Sequence, residues 1–169
     1  MMQRLRRILR HRWLDEADTR RAIPPALSEQ LARRVAASER RHSGEVRIYV
    51  EAGLPMSYLW QERTPRERAV AMFSKLRVWD TAENNGVLIY LLLAEHAIEI
   101  VADRGLSRHV APQEWAQIVA RLGSALKAGR FEEGLTQALA EVSALLVQHF
   151  PVQEGVANPN ELPDEPVLG

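Results

Sequence analysis

The run Val87–Leu93, VLIYLLL, has apolar residues on both faces of any strand it forms. A strand of that kind is stable only at the centre of a sheet with layers packed on each side. The segment after it, Ala97–Ala102, alternates more loosely and is separated by the short turn Ala94-Glu95-His96, so the two read as antiparallel neighbours. Upstream, Glu45–Glu51 (EVRIYVE) alternates strictly: Val46, Ile48 and Val50 face one way, while Glu45, Arg47, Tyr49 and Glu51 face the other.

Between these strands Thr64-Pro65-Arg66-Glu67 carries the signature of a helix start. Thr64 caps, Pro65 suits the first helical position, and Glu67 completes a capping box. Ala69, Phe73 and Leu76 follow as its apolar stripe. Strand, crossover helix, strand is a βαβ unit, so strands 45–51 and 87–93 are predicted parallel. Helical periodicity also marks residues 26–41 (Leu27, Leu31, Val35), 111–128 (Trp115, Ile118, Val119, Leu122, Leu126) and 131–149 (Leu135, Leu139, Val142, Leu146). The predicted fold class is α/β: a three-layer α/β/α sandwich around a central mixed β-sheet.

The chain divides into a basic N-terminal helix and linker over 1–25, an α/β domain over 26–150, and an acidic, proline-containing tail over 151–169. That tail has too little apolar content to fold alone and reads as disordered. At residues 3–14, Leu5, Ile8 and Leu9 lie toward one side, with Arg4, Arg7 and Arg10 around the other. Two readings stay open there. One is a surface helix for anionic lipid or an acidic partner. The other is a helix packed on its own domain with a solvated basic face.

Composition excludes several function classes. There is no cysteine among the 169 residues, which removes disulfides, thiolate metal sites and a cysteine nucleophile. The 22 basic and 22 acidic residues balance, so no net field draws the chain to nucleic acid. His11, His42, His96, His109 and His149 are scattered, with no HxxxH pair, and neither a P-loop nor a GxGxxG occurs. Trp60, Trp79 and Trp115 lack the basic strand face that base stacking needs. No stretch of about 18 apolar residues is present to span a membrane, and the N-terminus has no continuous apolar core of a secretory signal. These features predict a soluble, cytoplasmic protein.

Oxygen-bearing residues concentrate in two loops. Asp80, Glu83, Asn84 and Asn85 precede the central strand, and Asp103 with Arg104 follows its neighbour. Because those strands are antiparallel, the loops should meet at one end of the sheet. Glu45, at the start of the first strand, joins that end, and Glu51 falls at the opposite one. Carboxylates with amide carbonyls suit a hard cation such as Ca²⁺ or Mg²⁺, although the spacing is not that of an EF-hand. A purely structural reading is also open: Asn84-Asn85-Gly86 as a turn and Asp103-Arg104 as a salt-bridged loop end.

The segments SGEVRIYVE, NNGVLIYLLLAEHAIEIVADRGL and AGRFEEGLTQAL resemble the TPM domain family, also called the TPM phosphatase family, over about residues 26–150. The run RVWDTAENNGVLIYLL is similar to its small, soluble bacterial subgroup. That resemblance implies the α/β/α sandwich and, from relatives, Ca²⁺ or other divalent-cation binding in loops at one sheet end. On this chain the matching positions are Asp80, Asn84, Asn85, Asp103 and Glu45. It further implies an interaction module that accompanies a LemA-type membrane protein or a membrane-anchored TPM protein, and so a cytoplasmic place peripheral to the inner membrane. The alternative is a metal-assisted hydrolase of acid-phosphatase type, with Arg104 pairing with phosphate. The chain departs from most relatives in having Trp79–Glu83 where they carry glycines before the NNG.

Overall fold

The central strand organises the observed fold as its apolar pattern requires. In the computed structural model, which describes residues 1–169, β2 (Val87–Leu92) lies between β1 (Val46–Glu51) and β3 (Ala97–Ala102). A two-residue strand, β4 (Val167–Leu168), completes the order β3-β2-β1-β4. The β1–β2 pair is parallel with Val46 opposite Val87, and β2–β3 is antiparallel with Val87 opposite Ala102, as the βαβ and hairpin readings predict. The turn between β2 and β3 is a short 3₁₀ segment, Leu93–Glu95, closed by His96 at φ 50°.

Side-chain alternation along the strands splits the interior in two. Val46, Ile48 and Val50 of β1 and Val87, Ile89 and Leu91 of β2 face one layer. That layer is α3 (Pro25–Glu39), α7 (Pro112–Lys127) and α8 (Phe131–His149), which contribute Leu31, Val35, Leu122, Leu139 and Leu146 among others. On the reverse face Tyr49, Leu88, Tyr90, Leu92 and Val101 pack with Leu59 of α4 (Met56–Trp60) and with Ala69, Met72 and Phe73 of α5 (Pro65–Lys75). The capping box predicted for α5 is present, with Thr64 and Glu67 bonding each other's backbone N–H groups.

The sequence reading and the structure part company in three places. The linker at 15–23 contains a helix, α2 (Glu16–Ala22), because Asp15 and Asp18 form a reciprocal cap. The tail read as disordered is instead placed on the domain. Leu162 enters the second core, Asn158 donates its amide to the carbonyls of Glu39 and His42, and Val167–Leu168 pair with β1. It gains there what its own composition lacks, because β1 offers an open edge and buried polar side chains without partners.

Those side chains are the polar alternates of EVRIYVE, and they are buried rather than solvated. Arg47 donates to the carbonyl of Pro163 and Glu45 accepts from the N–H of Glu161 at 2.9 Å. Glu51 accepts from Arg68 Nε at 3.0 Å and from the hydroxyl of Tyr90 at 2.8 Å. Buried polar residues persist when they are given partners, and each of these three has at least one, although Glu45 Oε2 and Arg47 Nε stay buried without one.

The third difference concerns α1 (Met2–Trp13). It docks on the second face, yet through Arg7 and His11, while Leu5 and Leu9 stay exposed. The helix is thus packed on its own domain with Ile8 inward and Arg6, Arg10 and Arg12 solvated, but Arg7 turns inward and Leu5 and Leu9 of the apolar side face out.

Candidate functional site: the rim at the start of the central strand

Antiparallel pairing carries the two oxygen-rich loops to a common edge, and backbone bonds clasp them. The N–H of Asp103 donates to Gly86 O at 2.9 Å and that of Gly105 to Asn84 O at 2.8 Å. Contact between the loops is so close that a Cβ at Gly105 would sit 2.4 Å from both the Glu83 and Asn84 carbonyl oxygens. At Gly86 it would lie 2.0 Å from Val78 O. Only glycine permits these approaches. Asn84 adopts φ 52°, in the left-handed region that asparagine tolerates better than most residues.

Asp103 caps the short helix α6 (Arg104–Ser107), its Oδ1 accepting from Arg104 N–H at 2.7 Å. Its Oδ2 is buried without a hydrogen-bond partner. Asn85 is wholly buried. Its Nδ2 donates to Ser43 Oγ at 3.0 Å and to Glu83 Oε2 at 3.4 Å, whereas its Oδ1 is also buried and unpartnered. Ser43 Oγ in turn donates to Glu83 Oε2 at 2.5 Å. Ser43 and Glu83 border a cleft of about 330 Å³ whose far wall is the tail, including Asn158 and Glu161.

The other two predicted residues contribute differently. Asp80 is exposed and its carboxylate pairs with Arg77 one turn earlier. Glu45 belongs to the rim by its backbone, since its carbonyl accepts from Val87 N–H at 2.8 Å. Its side chain, however, turns toward the tail and joins Glu39 and Asp164 around a second cavity of about 400 Å³. Burial raises the pKa of Glu45, the N–H groups of Glu161 and Leu162 oppose that, and the nearby Glu161 and Asp164 carboxylates push it further up. Burial likewise lifts Glu39 well above the usual carboxylate range, against its bond from Val46 N–H, with Glu45 and Asp164 adding to the rise.

Asn84, Asn85 and Asp103 are thus brought together, and Asp80 and the Glu45 carboxylate are held by other partners. No three carboxylate or imidazole side chains converge as a metal-binding group. A cation at the rim would need a mixed oxygen set: the Asp103 carboxylate, the Asn85 amide oxygen and the loop carbonyls. Hard cations accept such sets, and the two unpartnered acceptors are the kind of group a cation satisfies. Sequence reasoning missed Ser43, which stands at the end of a helix and reads there as a terminator. It also missed the tail residues facing Glu45, whose placement depends on a sheet edge 116 residues earlier.

Comparison with known proteins bears on the fold. A search of curated proteins gives no match. Among solved structures, the NMR structure of the BA42 protein from the psychrophilic bacterium Bizionia argentinensis superposes with a TM-score of 0.74 at 23% identity, covering 87% of this chain and 95% of that one. The family model for the TPM domain matches residues 17–145, from α2 through most of α8. A match over that span, on a fold with the predicted pairing of β1, β2 and β3 and the clasped NNG and DRG loops, establishes that this chain belongs to the TPM domain family.

Proposed function

We propose that the chain is an interaction module whose rim at Asn84, Asn85 and Asp103 takes up one Ca²⁺ or Mg²⁺, and that the loaded rim stiffens a surface that docks on a membrane-protein assembly. A LemA-type protein or a membrane-anchored TPM protein is the partner class this reading names, which puts the chain at the cytoplasmic face of the inner membrane. The observation that carries the reading is the pair of buried, unpartnered acceptors, Asp103 Oδ2 and Asn85 Oδ1, flanking loops already locked together by backbone bonds. An unsatisfied buried oxygen costs about 1–3 kcal/mol, and a bound cation would remove that cost. Asp80 and Glu45 are outside this set.

Calorimetric titration of Ca²⁺ and Mg²⁺ into the wild type and Asp103→Asn tests it. Asparagine still caps a helix, so the fold survives while one anionic ligand is lost. The reading requires a single saturable site weakened at least about tenfold by the substitution. Equal heats for the two chains, or none, would refute it.

One observation favours a second reading, a hydrolase of phosphate monoesters. Ser43 Oγ donates a hydrogen bond to Glu83 Oε2 and accepts one from the Asn85 amide, at the edge of the cleft. A hydroxyl paired with a carboxylate is the arrangement an activated nucleophile uses. Turnover of p-nitrophenyl phosphate that disappears in Ser43→Ala and Glu83→Gln would support it, and a rate indifferent to both changes would dismiss it.

A further inference from the structure

Helix α1 is amphipathic and is docked by the wrong side for a globular domain. Met2, Leu5, Leu9 and Trp13 recur at helical spacing and share a face, and they are 76%, 59%, 50% and 83% exposed. Of the apolar residues of α1 only Ile8 packs inward, half-buried against the second core, and the rest of the inward side is polar. Arg7 Nε pairs with Glu95 Oε1 at 2.6 Å, and its guanidinium also reaches the Arg63 carbonyl. His11 is buried, accepts Leu54 N–H at Nδ1 and therefore donates from Nε2 to Glu95 at 2.8 Å. The His11 backbone lies so near Gly53 that a Cβ there would stand 2.7 Å from its oxygen. Helices on domain surfaces normally bury the apolar stripe, whereas here ion pairs and a histidine bond hold it facing out.

What surrounds the exposed face limits what can cover it. Arg6 and Arg10 flank it on one side and Arg12 on the other, as the helical period of about 100° per residue dictates, and all three are exposed. No acidic residue occurs in α1. An apolar strip of Met, Leu and Trp between rows of arginine is complementary to an anionic, partly apolar surface. A tryptophan at its end suits the headgroup layer of a bilayer. No helix of this chain is long and apolar enough to cross a membrane, so contact by this chain would be in the plane of the interface.

We propose that the outer face of α1 is a lipid-interface surface that lays the domain on an anionic bilayer through Met2, Leu5, Leu9 and Trp13, with Arg6, Arg10 and Arg12 engaging headgroup phosphates. The proposal names the surface by which the interaction module proposed above meets a membrane, and it does not depend on the cation. The test is co-sedimentation of the full chain with vesicles of phosphatidylcholine alone and of phosphatidylcholine with phosphatidylglycerol, at low and high salt. The wild type partitions onto the anionic vesicles and is released as salt rises. Leu5→Glu/Leu9→Glu lowers that partitioning at least about tenfold, and Arg10→Gln lowers it roughly fivefold. Urea midpoints stay unchanged, because none of these side chains is buried.

Equal sedimentation of the wild type and the leucine double variant would overturn the proposal, as would failure to bind anionic vesicles at low salt. A soluble dimer that the double variant dissolves would overturn it too, assigning the face to a second copy. Calcium titration of the leucine double variant keeps the two readings apart: vesicle binding can fail while the rim still binds its ion.

Discussion

Gly105→Ala probes the clasp between the two loops directly. The added methyl would meet two backbone carbonyl oxygens at 2.4 Å, inside the 3.0 Å that Cβ contacts essentially never breach. Neither oxygen belongs to a side chain that can rotate away, and Asn84 O is already accepting the Gly105 N–H at 2.8 Å. Overpacking of this kind costs about 1–3 kcal/mol, and weakening the clasp bond adds up to about 1 kcal/mol. Restricting the unfolded chain returns about 0.4–1 kcal/mol, so the net loss should be about 2 kcal/mol. Urea unfolding followed by far-UV circular dichroism reads it as a midpoint lowered by about 1 M, given a slope of about 2 kcal/mol/M. Gly123→Ala in α7 is the matched control. Its Cβ would meet only Ile98 Cδ1, at an ordinary 3.5 Å, and alanine in a helix interior gains about 0.5–1 kcal/mol over glycine. Were both substitutions neutral or stabilising, the loops would not be in contact as described.

Four further outcomes follow from the buried polar groups and the tail. Arg68→Ala strands the Glu51 carboxylate, whose side chain is 6% exposed and which Arg68 and Tyr90 now satisfy; the expected loss is about 3–5 kcal/mol by urea denaturation. Glu39 holds its proton more tightly folded than unfolded, so it favours the native state at low pH and that contribution fades as pH rises through and above the ordinary carboxylate range. Glu39→Gln should flatten the alkaline decline in Tm while keeping the acceptor for Val46 N–H. His42 behaves oppositely: burial depresses it to about 4, so its contribution is present above the unfolded histidine value and lost as pH falls toward 4. Leu162→Ala should cost about 2 kcal/mol, because the side chain is in the second core. A detached tail would make that change silent.

Much of the architecture is written in local patterns. The two-faced apolarity of β2 dictates its central position, the capping pair at Thr64 and Glu67 starts α5, and the shortness of the β2–β3 turn brings the NNG and DRG loops together. What the sequence conceals is direction and partnership. Strict alternation in β1 separates Glu45, Arg47 and Glu51 from the apolar face, but it says nothing of whether that side meets water. In the structure it meets α5 and a tail whose own composition looks unfoldable. Glu45 illustrates the limit at the site itself: its backbone is on the rim, yet burial of its carboxylate among Glu39, Glu161 and Asp164 turns it away. For α1 the pattern displays two faces, and only the placement of Glu95 and Gly53 decides which one lies inward.

The central claim is that Asn84, Asn85 and Asp103 form one cation-binding rim, and amide chemical shifts recorded during Ca²⁺ addition to labelled protein test it most directly. The account predicts saturable shifts at Glu83, Asn84, Asn85, Asp103, Arg104 and Gly105 together, with one shared affinity and little change at Glu51 or Arg68 at the opposite sheet end. Shifts centred instead on Glu39, Glu45 and Asp164, or on none of these residues, would contradict it.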